Sequence, residues 1–242
     1  MKSPGEVRAF VAGATGYSGR EVVRALARRG AIVRAHVRPD SPRLARWRER
    51  FALPGVSVDE TPWQERALAA ALAAFRPTQV FALLGTTRAR AAAAARESAA
   101  PADYEAVDYG LSALLLRAAA AARAAGAPAR FVYLSSLGAT ATGGNAYLRA
   151  RGRVEALIRE SGLPYLIVRP ALISGPDREE RRRLERLLAR TTDWGTALLA
   201  AFGATHLRAR FRPHTAAELA ESMVRLETGT QDRKSTRLNS SH

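Results

Sequence analysis

Short apolar runs alternate with amphipathic stretches along most of the chain, and clusters of glycine, proline and small polar residues separate them. Val7 to Ala14 is an apolar run closing on Gly-Ala-Thr-Gly, and Arg20 to Arg29 follows with Val22, Val23 and Leu26 at helical spacing. Ala31 to Val37 and Val56 to Val58 predict a second and a third strand. Thr61-Pro62-Trp63-Gln64 then reads as a capping box, with Thr61 at N-cap, Pro62 at N1 and Gln64 at N3, opening a helix to about Phe75. Thr78 to Leu84, Arg130 to Ser135 and Tyr165 to Val168 predict the remaining strands. Between them lie an alanine-rich helix from about Tyr104 to Ala125 and a helix from Asn145 to Glu160. Asp177 to Arg190 has Leu184, Leu187 and Leu188 on one side of an amphipathic helix, and Ala216 to Leu226 reads as the closing helix.

Near-continuous apolar strands alternating with helices predict an α/β fold, a Rossmann-type doubly wound parallel sheet with helices on both faces. No repeat or linker divides the chain, so one domain is expected over residues 1–231, with 177–231 a small C-terminal substrate-binding region. Within that region the 177–190 helix reads either as a solvated surface helix or as a lid over the substrate, because such sheets bind ligands beyond their carboxyl strand ends. Residues 232–242 break abruptly in composition and read as an adapter-derived, non-native tail, set aside from the fold.

Composition narrows the function classes. With no cysteine there is no disulfide framework and no thiolate metal site, and only four histidines remain; no metal is expected. The longest Ala/Leu stretch, Leu111 to Ala127, is broken by Arg117 and Arg123, and the N-terminus enters an apolar strand pattern at Val7. A cytoplasmic protein with no membrane partner is expected. The formal net charge is +16, but lysine occurs only at Lys2 and Lys234. Setting the tail aside removes three positive charges and one negative, leaving +14. Arginines scattered over the predicted helices fit coding bias better than selection for a polyanion, so nucleic acid is not the expected partner. The densest run, Arg43 to Arg50, reads as a solvated helix face.

Gly13-Ala-Thr15-Gly16-Tyr17-Ser18-Gly19 sits where the first strand hands over to a helix. Glycines there allow a tight turn and let backbone N–H groups approach a pyrophosphate at the helix N-terminus. The end of the second strand selects the cofactor. An acid there would accept from the adenosine ribose, whereas this chain has Arg38, with Arg43 nearby, whose guanidinium forks suit a 2′-phosphate. NADP is therefore expected over NAD. Asp59, just after the third strand, is positioned either to accept from the adenine amino group or as a surface turn acid. Leu84-Gly85-Thr86 ends the fourth strand with small residues on which a cofactor ribose could pack.

From Val7 to Pro176 these motifs, together with Val107-Asp108-Tyr109, Leu134-Ser135-Ser136-Leu137-Gly138-Ala139, Tyr147 to Glu155 and Val168-Arg169-Pro170-Ala171-Leu172, stand in family order. In them the chain resembles the atypical, extended-like short-chain dehydrogenase/reductases, and among these the Tat-interacting-protein-like oxidoreductases. The resemblance implies a Ser/Tyr/Lys active site, with Ser136 (or Ser135) polarising a substrate carbonyl and Tyr147 exchanging the proton, and cofactor contacts at Pro170 and Leu172. Tyr147 and Arg151 stand four apart on one helix and share a face. A tyrosine titrating near 10 needs a neighbouring cation to act as an acid–base. The departure is Arg151, where the family has lysine. It keeps the charge and could hold ribose hydroxyls, but it cannot give up its proton, and buried on a sheet-facing stripe it would need a partner such as the bound dinucleotide. Asp108, where related enzymes often carry asparagine, could face it.

The expected function is an NADP-dependent oxidoreductase acting on a small carbonyl or quinone-like substrate, as a monomer or homodimer. The alternatives are a non-catalytic NADP(H)-binding regulator and a nucleotide-sugar epimerase or dehydratase, which would need a larger C-terminal region.

Overall fold

The computed structural model describes residues 6–85, 104–170, 173–174 and 214–229. Thr86, Leu172, the helix expected over Asp177–Arg190 and the tail from Asp232 lie outside the described residues. All six expected strands form: β1 (Arg8–Ala12), β2 (Ile32–His36), β3 (Val56–Asp59), β4 (Gln79–Ala82), β5 (Arg130–Leu134) and β6 (Tyr165–Val168). They make one wholly parallel sheet in the order β3-β2-β1-β4-β5-β6. The order reverses between β1 and β4, and there the carboxyl ends of the strands open the crevice in which such sheets bind ligands.

The strands read as unbroken apolar runs because both faces of the sheet are covered. In β1, Ala9 and Val11 pack under α1 (Tyr17–Arg28) and α6 (Ala216–Gly229), in a core with Val22, Leu26, Leu219 and Met223. Phe10 and Ala12 point the other way, into a core with Leu68 and Leu72 of α3 (Glu65–Phe75), Leu115 of α4 (Ser112–Ala124) and Ile158 of α5 (Ala146–Glu160). A short α2 (Leu44–Arg50) follows β2 and carries most of the arginine run; none of its residues is buried. Ile173–Ser174 (β7) and His214–Thr215 (β8) pair in parallel as a separate two-stranded sheet. Among the described residues no helix is long and apolar enough to cross a membrane.

Two local expectations are corrected. The capping box does not form: α3 starts at Glu65 with Gln64 as its N-cap and no side-chain cap bond. Thr61 is drawn instead into the turn after β3, where its N–H donates to Asp59 Oδ1 at 3.1 Å and its carbonyl accepts from His36 Nε2 at 2.7 Å. Burial holds the His36 imidazole below its ordinary range, between the rings of Phe10 and Trp63. The alanine-rich helix is not uniform either: Tyr104–Leu111 is π-helical, and regular α-helix begins only at Ser112. The wide turns carry Asp108, fully buried, to an ion pair with Arg151 at 2.8 Å. Such segments are frequent at functional sites.

Candidate functional site

The β1–α1 turn is built from main chain alone. Gly13 has φ +81°, and a Cβ on it would stand 2.4 Å from the Leu83 carbonyl oxygen at the end of β4. One on Gly19 would stand 2.1 Å from the Gly13 carbonyl oxygen. Only glycine lets strand, turn and helix approach this closely. α1 begins after Gly16 with no side-chain cap and no acid in its first turn. Thr15, Tyr17 and Ser18 are half-buried beside it and Gly16 is exposed. The donor set of this turn, with the helix dipole behind it and no carboxylate in front, fits a pyrophosphate.

On the β2–β3 side, Arg38 and Arg43 are exposed, with Arg38 only loosely paired to Asp40 at 3.7 Å. Asp59 at the end of β3 is buried; besides the Thr61 N–H, its carboxylate meets Arg34 at 3.4 Å. It is therefore a turn-capping acid in this structure rather than an exposed one.

On the β4–β5–β6 side the chemistry centres on Arg151, 4% exposed. Its Nη1 donates to the Leu134 carbonyl at 2.6 Å and the Tyr133 hydroxyl at 3.3 Å. Its Nη2 donates to the Leu84 carbonyl at 2.7 Å and to Asp108 Oδ1 at 2.8 Å. The expected need for a buried partner is thus met within the protein at both terminal nitrogens, before any dinucleotide binds. The ends of β4 and β5 and the π-helical segment already hold both terminal nitrogens, and Nε alone is buried without a partner. Gly85 lies so close that a Cβ on it would meet Nη2 at 2.5 Å. Burial works against the Arg151 charge, but Tyr133, Tyr147 and Asp108 outweigh it, and its proton is held more tightly than an ordinary arginine's. Burial pushes the Tyr133 hydroxyl up to about 12 in spite of Arg151, so it stays neutral.

Tyr147 is half-buried in the first turn of α5, its ring centroid 5.2 Å from the Arg151 Cζ and 5.7 Å from the ring of Tyr104, edge on. Asn145 starts that helix by accepting from the Leu148 N–H at 2.9 Å. Ser136 is half-buried just beyond β5, its hydroxyl 3.4 Å from the Leu137 carbonyl, a weak bond. Ser135 is buried and donates to Glu155 Oε1 at 2.6 Å, which commits its hydroxyl to the protein. Pro170 is buried after β6. Sequence reasoning assigned no role to Tyr133, Glu155, Arg169 or Tyr104. One signal was available: Tyr147, Arg151 and Glu155 repeat every fourth residue, so a second charge falls on a stripe whose neighbours are core.

Among the described residues no cluster of histidine, aspartate and glutamate could hold a metal. Two observations fit a dinucleotide: a turn that admits no side chain on the switch-point side, and an orphaned buried donor, Arg151 Nε, beside Tyr147.

A model of an NAD(P)H-binding family matches residues 13–204. No curated protein is similar enough in sequence to count as a match. Among solved structures, the Bordetella bronchiseptica enzyme WbmH in complex with NAD+ is 15% identical with a TM-score of 0.65, covering 97% of this chain and 76% of that one. An oxidoreductase of the short-chain dehydrogenase/reductase family from Burkholderia thailandensis is 19% identical with a TM-score of 0.63, covering 92% and 85%. UDP-glucose 4-epimerase from Brucella ovis in complex with NAD is 15% identical with a TM-score of 0.53, covering 71% and 54%. At these identities the likeness is one of fold. With the family model over most of its length, the chain belongs to the NAD(P)H-binding family, a Rossmann protein built on the fold shared by short-chain dehydrogenase/reductases and epimerases.

Proposed function

We propose that the protein is an NADP-dependent oxidoreductase that reduces a small carbonyl or quinone-like compound. The observation that carries this reading is the Tyr147 ring 5.2 Å from a buried, fixed positive charge on Arg151. In this reading the bound nicotinamide supplies the hydride. Ser136 donates a hydrogen bond to the carbonyl oxygen, and Tyr147 gives that oxygen its proton. Arg151 remains protonated throughout and stabilises the phenolate left on Tyr147 through space, the part lysine plays in related enzymes. Ser135, its hydroxyl held by Glu155, supports the strand end rather than touching substrate.

The cofactor would lie across the switch point with its pyrophosphate on Gly13, Thr15, Gly16, Tyr17, Ser18 and Gly19. Arg38 and Arg43 are free enough of acidic partners to take the 2′-phosphate, which is what favours NADP over NAD. Asp59 would accept from the adenine amino group with the lone pairs left beside Thr61 and Arg34. The nicotinamide half would then run over Leu84, Gly85 and Thr86 toward Pro170 and Leu172.

A second reading, a cofactor-binding regulator without turnover, is favoured by one fact: Arg151 has both terminal nitrogens committed to protein oxygens, leaving Nε alone for a ribose hydroxyl. The readings separate when NADPH oxidation is followed with a panel of aldehydes, ketones and quinones, for wild type and Tyr147→Phe at saturating NADPH. A reductase turns over at least one compound, and Tyr147→Phe, which keeps the ring and loses the proton, is slowed at least a hundredfold, within the range that one acid–base group supplies. Tight NADPH binding with no turnover across the panel would instead support the regulator.

A further inference from the structure

Glu155 is 1% exposed, yet four donors converge on it. Ser135 Oγ donates to Oε1 at 2.6 Å, Arg169 Nε to Oε1 at 2.7 Å, Arg169 Nη2 to Oε2, and Arg159 Nη2 to Oε2 at 2.7 Å. These bonds hold its carboxyl below the usual carboxylate range although burial pushes the other way. Ser135 is the first residue beyond β5 and Arg169 the first beyond β6. The main chains of the same two segments are laced together, Ser135 N–H to the Val168 carbonyl at 2.8 Å and Leu137 N–H to the Pro170 carbonyl at 3.0 Å. Glu155 thus ties together the two segments that carry Ser136 and Pro170.

Packing alone does not call for a carboxylate here. Val154 and Ile158 cover the sheet from the same helix with apolar side chains, and apolar replacements for buried ion pairs are often as stable or more so. What a multiply bonded carboxylate adds is direction: it fixes the azimuth of each donor, hence the path of each loop. With the pyrophosphate at β1 and adenosine toward β2 and β3, as proposed above, the nicotinamide half falls on the β4–β5–β6 side. We infer that Glu155 is a positioning residue for the nicotinamide half of the site, setting the β5 and β6 loops at the spacing the ring and substrate require. This rests on the cofactor placement proposed above, and concerns a residue that does not itself touch cofactor.

The test compares whole NADPH with 2′,5′-ADP, a fragment that keeps the adenosine half and lacks the nicotinamide. Full-length wild type, Glu155→Gln, Ser135→Ala and the exposed control Glu160→Gln are titrated with both. Glu155→Gln should bind NADPH about tenfold more weakly with 2′,5′-ADP affinity unchanged. Ser135→Ala, which removes one of the four donors, should move the same way by less and serves if Glu155→Gln does not fold. Without any ligand, amide hydrogen exchange in residues 135–137 should accelerate in Glu155→Gln while β1 stays protected. Equal loss for both ligands, or no loss for either, overturns the inference. A parallel series with NADH and ADP-ribose isolates an error in the NADP assignment, which would weaken wild-type binding in one series only. Turnover does not enter any arm, so failure of the reductase reading leaves the result interpretable.

Discussion

Arg151 joins two strand ends through separate nitrogens. Its two terminal nitrogens donate to the Leu84 carbonyl on one strand end and the Leu134 carbonyl on the next while also meeting Asp108. The lysine of related enzymes would bring three donors to a single point. Arginine here fastens β4 to β5 and to the π-helical segment, and the price is paid in reach toward ribose. Replacing it with methionine breaks its ion pair with Asp108, a group 0% exposed. Arg151→Met should therefore lose about 3–5 kcal/mol in urea unfolding, the range for breaking a buried pair. Adding Asp108→Asn should recover part of that loss. Sequence reasoning anticipated that Asp108 could face Arg151, and the pair is present at 2.8 Å. The carbonyl partners were illegible, because main-chain oxygens carry no residue identity and these two lie 67 and 17 positions away.

At the scale of elements, α5 matters most for the site, since Tyr147, Arg151 and Glu155 all stand on it. Its distance from the β5 loop is set by Gly152, where a Cβ would stand 2.1 Å from the Thr140 carbonyl carbon and 2.5 Å from the Ala141 nitrogen. Both are main-chain atoms with no flexible end to yield. Gly152→Ala should push the 138–144 loop and the helix apart and destabilise by about 1–3 kcal/mol, the usual cost of overpacking, read as a lowered urea midpoint with an unchanged slope. Nothing in the sequence marks this glycine, because it belongs to a helix and its obstacle is in another segment. The six strands and the glycine turn were legible because each has a local cause: apolar runs covered on both faces, and a turn that tolerates no side chain. The Thr61 capping box failed because Asp59 and His36, adjacent in space at the ends of β3 and β2, took its backbone first. The π-helical turns escaped because nothing local in Tyr104–Leu111 marks the wider winding, which brings Asp108 to a partner on α5.

Over the whole molecule, the reversal of strand order sorts the candidate residues into two halves. β1, β2 and β3 carry the glycine turn, the exposed arginines and Asp59; β4, β5 and β6 with α5 carry the buried charges and Tyr147. Among the described residues several exposed arginines are paired across the fold, as in Arg48 with Glu60, Arg117 with Glu65, and Arg28 and Arg29 with Glu221, which clamps α1 to α6. Such exposed pairs contribute little each. In the proposed reaction one half holds the cofactor while the other delivers a proton to a carbonyl that receives a hydride. This reaction is tested most directly with NADPH deuterated at the transferable position of the nicotinamide, incubated with the compounds that support oxidation and analysed by mass spectrometry. Deuterium is expected on the former carbonyl carbon of an aldehyde or ketone product, with loss of that product in Tyr147→Phe. Deuterium transfer that proceeds undiminished in Tyr147→Phe, or tight NADPH binding with no transfer to any compound, would contradict it.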